Sequence, residues 1–391
     1  MNTLTGFLNS FFIWCKVSYF YRVKIKLGYI CGTQSWGGLE MNQFRNALWM
    51  KERGHSVVMF CQKNSPVENA CLENGIDVIT IQKHKKYFDF KNGEILTKLI
   101  TKNEVTHLIV RATYDMSLTA IAKRKLGEKL HLSYFMEMQL GIKKTNFLHT
   151  LRFRNFDLWS CPLPWLAEQT RTMTHFPHDR IVVIPSGLDL SQFSSPMDRT
   201  EARKIMELPE QGLLFGLIGR FDSHKGQVLL LEAMNLCKSK DFSVVLLGEP
   251  TKNEGTTYYD EMLKLIEEGQ LEDRVFVRPF RKDTEPFYKA IDWFIMASRA
   301  ETFGMVTIEA MACGTPTLGS NAGGTPEILD QGKYGVLFEP MNATDLALKI
   351  DQIIEEKISI DIVSLKEEVK LYDHNTVCEE VEKVLGLMGH N

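Results

Sequence analysis

Long apolar runs are missing from this chain of 391 residues. The uncharged stretch at the start, residues 1–15, is too short and too mixed with polar residues to cross a bilayer, and no basic segment precedes it as a signal peptide requires. The eight cysteines, at 15, 31, 61, 71, 161, 237, 313 and 378, form no C-x-x-C pair and no metal-ligand spacing. They read as buried thiols in a reducing compartment, by default the cytoplasm. No Asp-x-Asp occurs, so a metal-clamped diphosphate has no support, and the ten histidines are scattered without ligand spacing. G-x-S-x-G, H-E-x-x-H and G-x-x-x-x-G-K-[ST] are also absent. Neither a metal site nor a hydrolytic triad is expected, and no nucleic-acid partner. The first glycine-rich turn lacks G-x-G-x-x-G, having Gly28, Gly32, Gly37 and Gly38 instead, which argues against a dinucleotide.

What is present is a regular alternation of strand and helix. Strands are expected at 23–31, 56–61, 77–81, 106–111, 130–136, 156–161 and 180–185, and again at 212–222, 243–248, 274–280, 292–298, 315–320 and 335–340. Helices are expected at 39–54, 303–312, 345–357 and 374–387, with further helical stretches between most of the N-terminal strands. Such alternation predicts parallel, doubly wound sheets, and the length suits two domains rather than one core. The breaks between 186 and 211 place a hinge at 191–211, dividing a domain of residues 23–190 from one of residues 212–373. The last helix, 374–391, follows the second domain.

One stretch organises the rest: SRAETFGMVTIE at 298–309, followed by AMACGTPTLGSNAGGTPEIL. A buried strand leads into a turn carrying Glu301, and a short helix carrying Glu309 is stopped by Gly314 and Pro316. From 305 to 309 the chain advances only ~6 Å, so both carboxylates are expected to line one crevice at the carboxyl edge of a sheet. The free N–H groups of Phe303, Gly304, Met305 and Val306 would point there from the positive end of the helix dipole. Carboxylates for hydroxyls and N–H groups for phosphate suit a nucleotide sugar. Glu309 lies in an apolar run, where an unpaired carboxylate costs several kcal/mol. Arg220 and Lys225 flank the turn after the first strand of the second domain, a fork and a point charge for a diphosphate. Gly37 and Gly38 precede a helix and leave its N–H groups open to a phosphate; taken alone they also fit a plain turn.

Charge is unevenly spread. Residues 1–190 hold 25 Lys and Arg against 15 Asp and Glu, and residues 191–391 hold 21 against 34. The basic half, with KHKKYFDFK at 83–91, AKRKLGEK at 122–129 and GIKK at 141–144, implies attraction to an anionic leaflet or a lipid pyrophosphate; drift of charge that binds nothing is the alternative. The aromatic extension 1–22 suits a membrane interface, packing on the first domain, or upstream sequence that hardly folds.

The segment 298–329 resembles the signature of the retaining family 4 glycosyltransferases, whose fold, GT-B, sets two Rossmann-like domains face to face across a cleft. GRFDSHKG at 219–226, IPSGLDLSQF at 184–193 and WGGLE at 36–40 stand in the family's order, so the resemblance covers roughly 23–389. It implies a metal-independent enzyme without cofactor, taking a UDP- or GDP-sugar and passing the sugar, a hexose by expectation, to a glycan or lipid-linked acceptor of cell-surface polysaccharide synthesis, lipopolysaccharide or capsule. The enzyme would be cytoplasmic, on the inner face of the membrane as a peripheral protein. Arg220 and Lys225 would contact the donor diphosphate, Gly38 would face it, Glu301 would hold sugar hydroxyls, Glu309 the ribose diol, and the final helix would cross back to the first domain. Two departures stand out. A His common in relatives is replaced by Glu137-Met138-Gln139, with Glu137 or Gln139 as substitutes on the acceptor or sugar side; Pro279 replaces a Gly in the loop where Phe280 receives the base. The other readings are a GT-B epimerase or sugar-phosphate synthase, and a catalytically idle nucleotide-sugar-binding subunit.

Overall fold

The computed structural model describes residues 25–250 and 256–387. The extension 1–22 lies outside them. Seven strands form the first sheet: β1 (Lys26–Cys31), β2 (Ser56–Gln62), β3 (Asp77–Ile81), β4 (His107–Val110), β5 (His131–Phe135), β6 (Leu158–Cys161) and β7 (Ile181–Val183). Six form the second: β8 (Leu213–Ile218), β9 (Phe242–Leu247), β10 (Val275–Arg278), β11 (Trp293–Met296), β12 (Thr317–Ser320) and β13 (Gly335–Phe338). Central strands such as β1, β8 and β11 are buried almost throughout, because helices cover both faces of a parallel sheet; this is why they read as unbroken apolar runs.

All pairings are parallel, in the orders β3-β2-β1-β4-β5-β6-β7 and β10-β9-β8-β11-β12-β13. Strand order therefore reverses between β1 and β4 in the first sheet and between β8 and β11 in the second. Loops leaving the carboxyl ends of such strands diverge and open a crevice. The loops after β1 and β4 carry Gly37, just before the helix that Gly38 begins, and Arg111; those after β8 and β11 carry Arg220, Lys225 and Glu301.

The helix Arg199–Ile205 falls within the stretch expected as hinge and is fastened to the second sheet. Arg203 donates to Ala290 O (2.9 Å) and to Asp292 Oδ2 (2.8 Å), and Arg199 reaches Asp292 Oδ1 at 2.5 Å. The final helix, His374–Val384, packs on the first domain. Val377, Cys378 and Val381 join its core, and Glu382 takes a two-pronged bond from Arg53 (2.9 and 2.8 Å) with His55 at 2.7 Å. Across the cleft, Trp165 N donates to Glu327 Oε2 at 3.1 Å.

Candidate active site

The Glu301 turn is built by close backbone approach. Gly323 sits at φ +61, and a Cβ there would fall 2.1 Å from Glu301 O; Gly324 N donates to the same oxygen at 2.8 Å. Gly226, at φ +81, would bring a Cβ within 2.3 Å of Ala297 O. Only glycine fits either place, so one tight approach holds the β8 loop against the end of β11 and the other holds the loop after β12 against the Glu301 turn.

Within that frame Lys225 Nζ lies 2.5 Å from Glu301 Oε1, and Ser298 Oγ donates to the same oxygen at 2.8 Å. Glu301 Oε2 accepts nothing among the described residues. Arg220 is held differently: its side chain is 64% exposed, against 27% for Lys225, with Asp222 Oδ2 3.6 Å away. The helix expected from Phe303 begins at Met305. Gly304, at φ +88, is its left-handed N-cap, with no side chain capping it. The helical N–H groups left for an anion thus start at Met305 and Val306. Phe303 is buried, its ring edge-on to Tyr372 at 5.9 Å between centroids.

Glu309 lies in a separate cluster from Glu301. Its Oε2 accepts from Tyr288 OH (2.9 Å) and Thr284 Oγ1 (3.3 Å), and Oε1 accepts nothing among the described residues. Burial raises its pKa; the Tyr288 bond, the charge of Arg45 from the opposite domain and the Thr284 bond oppose this. Phe280 is exposed at the end of β10, and Arg278 ties that loop to Met206 O at 2.9 Å.

In the first domain, Gly37 caps the helix Gly38–Glu52, and its N–H donates to Glu40 Oε2 at 3.0 Å, while Thr33 donates to Glu40 Oε1 at 2.9 Å. A Cβ on Gly38 would meet nothing within 4 Å, so the helix start faces open space. Glu137 is an internal counter-ion, accepting from Arg111 and from Asn42 Nδ2 (3.0 Å) with its side chain 8% exposed. Gln139 is exposed and borders a cavity shared with Thr113 and Lys144.

Three groups here escaped sequence reasoning. His84 Nε2 and Asp115 Oδ1 meet at 2.8 Å with both side chains fully buried, and Asp115 Oδ2 accepts from Gly32 N at 3.1 Å. Burial opposes charge on His84, but the bond and charge of Asp115 outweigh it and raise its pKa. Arg111 packs over the Phe135 ring at 5.2 Å and neutralises Glu137. Arg45 bears on Glu309 from the other domain. The one signal in sequence was Gly32, where a Cβ would fall 2.2 Å from Asp115 Oδ1.

Two family models match, Glycosyltransferase Family 4 over residues 36–192 and Glycosyl transferases group 1 over residues 198–370. Among curated relatives, a D-inositol 3-phosphate glycosyltransferase of Mycobacterium sp. (strain KMS) is 32% identical over 190 residues, covering 48% of this chain and 42% of the relative. The mannosylfructose-phosphate synthase of Agrobacterium fabrum is 28% identical over 218 residues, covering 54% and 48%. The chain thus matches less than half the length of each. Among solved structures, Anabaena HepE in complex with UDP superposes with a TM-score of 0.82 at 21% identity, covering 93% of this chain and 100% of that one. That likeness shows the two-domain fold.

Proposed function

This chain belongs to the group 1, family 4 glycosyltransferases, and we propose that it is a retaining, metal-independent hexosyltransferase that uses a UDP- or GDP-sugar. The observation that carries the proposal is the Lys225–Glu301 pair beside the uncapped Met305 helix start, at the point where strand order reverses. Anabaena HepE has been solved with UDP and with UDP-glucose, which supports a UDP-sugar first.

In this reading the donor diphosphate lies between Arg220, Lys225, the Met305 and Val306 N–H groups and Gly38. Breaking the bond from sugar to phosphate builds negative charge on the diphosphate and oxocarbenium character on the sugar. Cations and oriented N–H groups stabilise that separation more than the ground state. Glu301 Oε2 and Glu309 Oε1, the oxygens without partners among the described residues, take sugar hydroxyls and the ribose diol. Gly37 helps shape the phosphate loop, Phe303 packs behind it, and Phe280 borders the base. Glu137 fixes Arg111 on the acceptor side, and Gln139 faces that side directly. The acceptor attacks from the face the diphosphate leaves, with the leaving phosphate as base, and configuration is retained.

The acceptor we assign is a glycan or lipid-linked glycan of cell-surface polysaccharide synthesis, lipopolysaccharide or capsule, reached at the cytoplasmic face by peripheral contact with anionic lipid. No described helix is long and apolar enough to cross a membrane. A sugar-phosphate synthase is the second reading, favoured by the mannosylfructose-phosphate synthase relative. A thermal-shift screen against UDP-, GDP-, ADP- and CMP-sugars, followed by assay for free nucleotide and a new glycoside, tests the proposal. Stabilisation by none of these donors removes it, and a glycoside formed on a free sugar phosphate favours the second reading.

A further inference from the structure

Two of the three basic stretches of the first domain, far apart in sequence, border one apolar cavity together with the helix that follows the third. Tyr87, Phe88 and Phe90 come from the first, Arg124 from the second, and Leu148 and Leu151 from the helix after the third; with Ile121 they line a space of about 290 Å³. Its rim is more apolar than a solvated surface requires: Phe88 and Phe90 are 66% and 62% exposed, and Phe147 nearby is 75% exposed. A second cavity, about 160 Å³, shares Tyr87, His149 and Arg152 with the first and continues to Gln139 and Thr113.

Arg152 stands where the two spaces meet. Its guanidinium lies 5.5 Å over the Tyr87 ring and 5.0 Å over the Phe153 ring, and its Nη2 is 3.2 Å from His149 Nδ1. Nε and Nη1 are buried and donate to nothing among the described residues, and no carboxylate pairs with the group there. Burial lowers its pKa, against the Tyr87 hydroxyl beside it, which offsets the burial only in part. His149 is lowered too, first by burial and then by Arg152, Lys144 and Lys86. Buried guanidinium donors without an acceptor are costly, and three cations without a carboxylate form an anion site.

We propose that this junction binds an amphiphilic phosphate with one long apolar chain, the phosphate on Arg152, Lys144 and Lys86 and the chain in the Tyr87–Phe90–Leu148 cavity. The charge fits a phosphate, the cavity fits an alkyl or isoprenoid chain, and the continuation to Gln139 leads toward the acceptor side of the cleft. The inference rests on the acceptor assignment above and makes it specific: the acceptor is held by its own lipid anchor, one molecule at a time. A leaflet contacting the same face would engage the exposed phenylalanines without needing the enclosed guanidinium.

Calorimetry with dodecyl phosphate below its micelle concentration tests this, with dodecanol, inorganic phosphate, UDP and GDP as separate titrations on the full chain. Saturable 1:1 binding of dodecyl phosphate is expected, at least ~10-fold tighter than either half alone, since charged hydrogen bonds and a buried chain both contribute. Arg152→Ala should weaken it ~10-fold or more. Because Arg152 is part of the packing, Lys144→Gln and Phe90→Ser serve as independent variants: the first should weaken dodecyl phosphate and inorganic phosphate alike, the second dodecyl phosphate alone. Equal affinity for inorganic phosphate or for dodecanol, or unchanged affinity in all three variants, overturns the proposal. Binding to anionic vesicles without binding of the single amphiphile overturns it too, leaving a leaflet-docking face. Binding of UDP or GDP should be unaffected throughout; a wild-type protein that binds either nucleotide but not dodecyl phosphate overturns this inference alone, and one that binds neither nucleotide overturns the donor reading.

Discussion

Lys225 Nζ is bonded to Glu301 Oε1 at 2.5 Å across 76 positions of sequence, joining the loops that leave β8 and β11. The two side chains thus hold each other, and with them the two loops, in place.

Arg220→Ala or Lys225→Ala should lower turnover by ~10²-fold or more, the scale of losing one transition-state donor, roughly 3 kcal/mol. The two should differ in stability. Arg220 is mostly exposed, so its removal should leave Tm unchanged, whereas Lys225→Ala strips Glu301 of its cation and should lower Tm modestly. Steady-state kinetics and a melting curve on each variant check both points; near-normal turnover would remove the diphosphate-clamp role.

Turnover should survive excess EDTA, because side-chain cations and helix N–H groups supply the charge that a divalent ion supplies elsewhere. Among the described residues, no group of three or more His, Cys, Asp or Glu is placed to hold a metal. Loss of activity on chelation, restored by Mg²⁺ or Mn²⁺, would contradict this.

Glu309→Gln should separate stability from binding. Burial raises the Glu309 pKa, so the folded chain keeps this proton longer than the unfolded chain, and stability falls as pH climbs from the ordinary carboxylate range into the raised one. Glutamine removes that dependence while still accepting from Tyr288, so Tm at neutral pH should hold or rise. Nucleotide affinity should drop ~10-fold or more with loss of the charged acceptor. Calorimetry with UDP decides; unchanged affinity would detach Glu309 from the ribose.

Asp115→Asn should destabilise by ~3 kcal/mol, since it leaves His84 buried without its counter-charge. The pH dependence should change as well. His84 has a folded pKa above its ordinary 6.5, so the stability it adds is fully present below 6.5 and is lost as pH rises through the raised value. Urea titrations across that range should show the decline in wild type and a flatter profile in the variant.

The protein should sediment with anionic but not neutral vesicles, and the binding should fall at high salt, because exposed lysines are screened over ~8 Å at physiological ionic strength. Deleting residues 1–22 should weaken it without abolishing turnover on a soluble acceptor analogue. Equal partitioning to both vesicle types would leave the charge asymmetry without a membrane role.

The sequence alone determined the thirteen strands of the described residues and their two parallel sheets. A strand covered on both faces must be apolar along its whole length, and VVMFC or WFIM records that directly. The Glu301 turn was equally legible, from the apolar strand that leads into it and the Gly314 and Pro316 stop after the next helix, whereas the close approaches at Gly226 and Gly323 were not. Tertiary structure decided the pairings. Gly304 in a left-handed conformation moved the helix start from 303 to 305. Glu137, expected in place of a histidine, sits against Arg111 across 26 positions, and His84 meets Asp115 across 31. Arg152 was one arginine among many until a cavity formed around it without a carboxylate. Such groups leave no local period, because the energy of a charge depends on what surrounds it in space, and those surroundings exist only once the strands are in order.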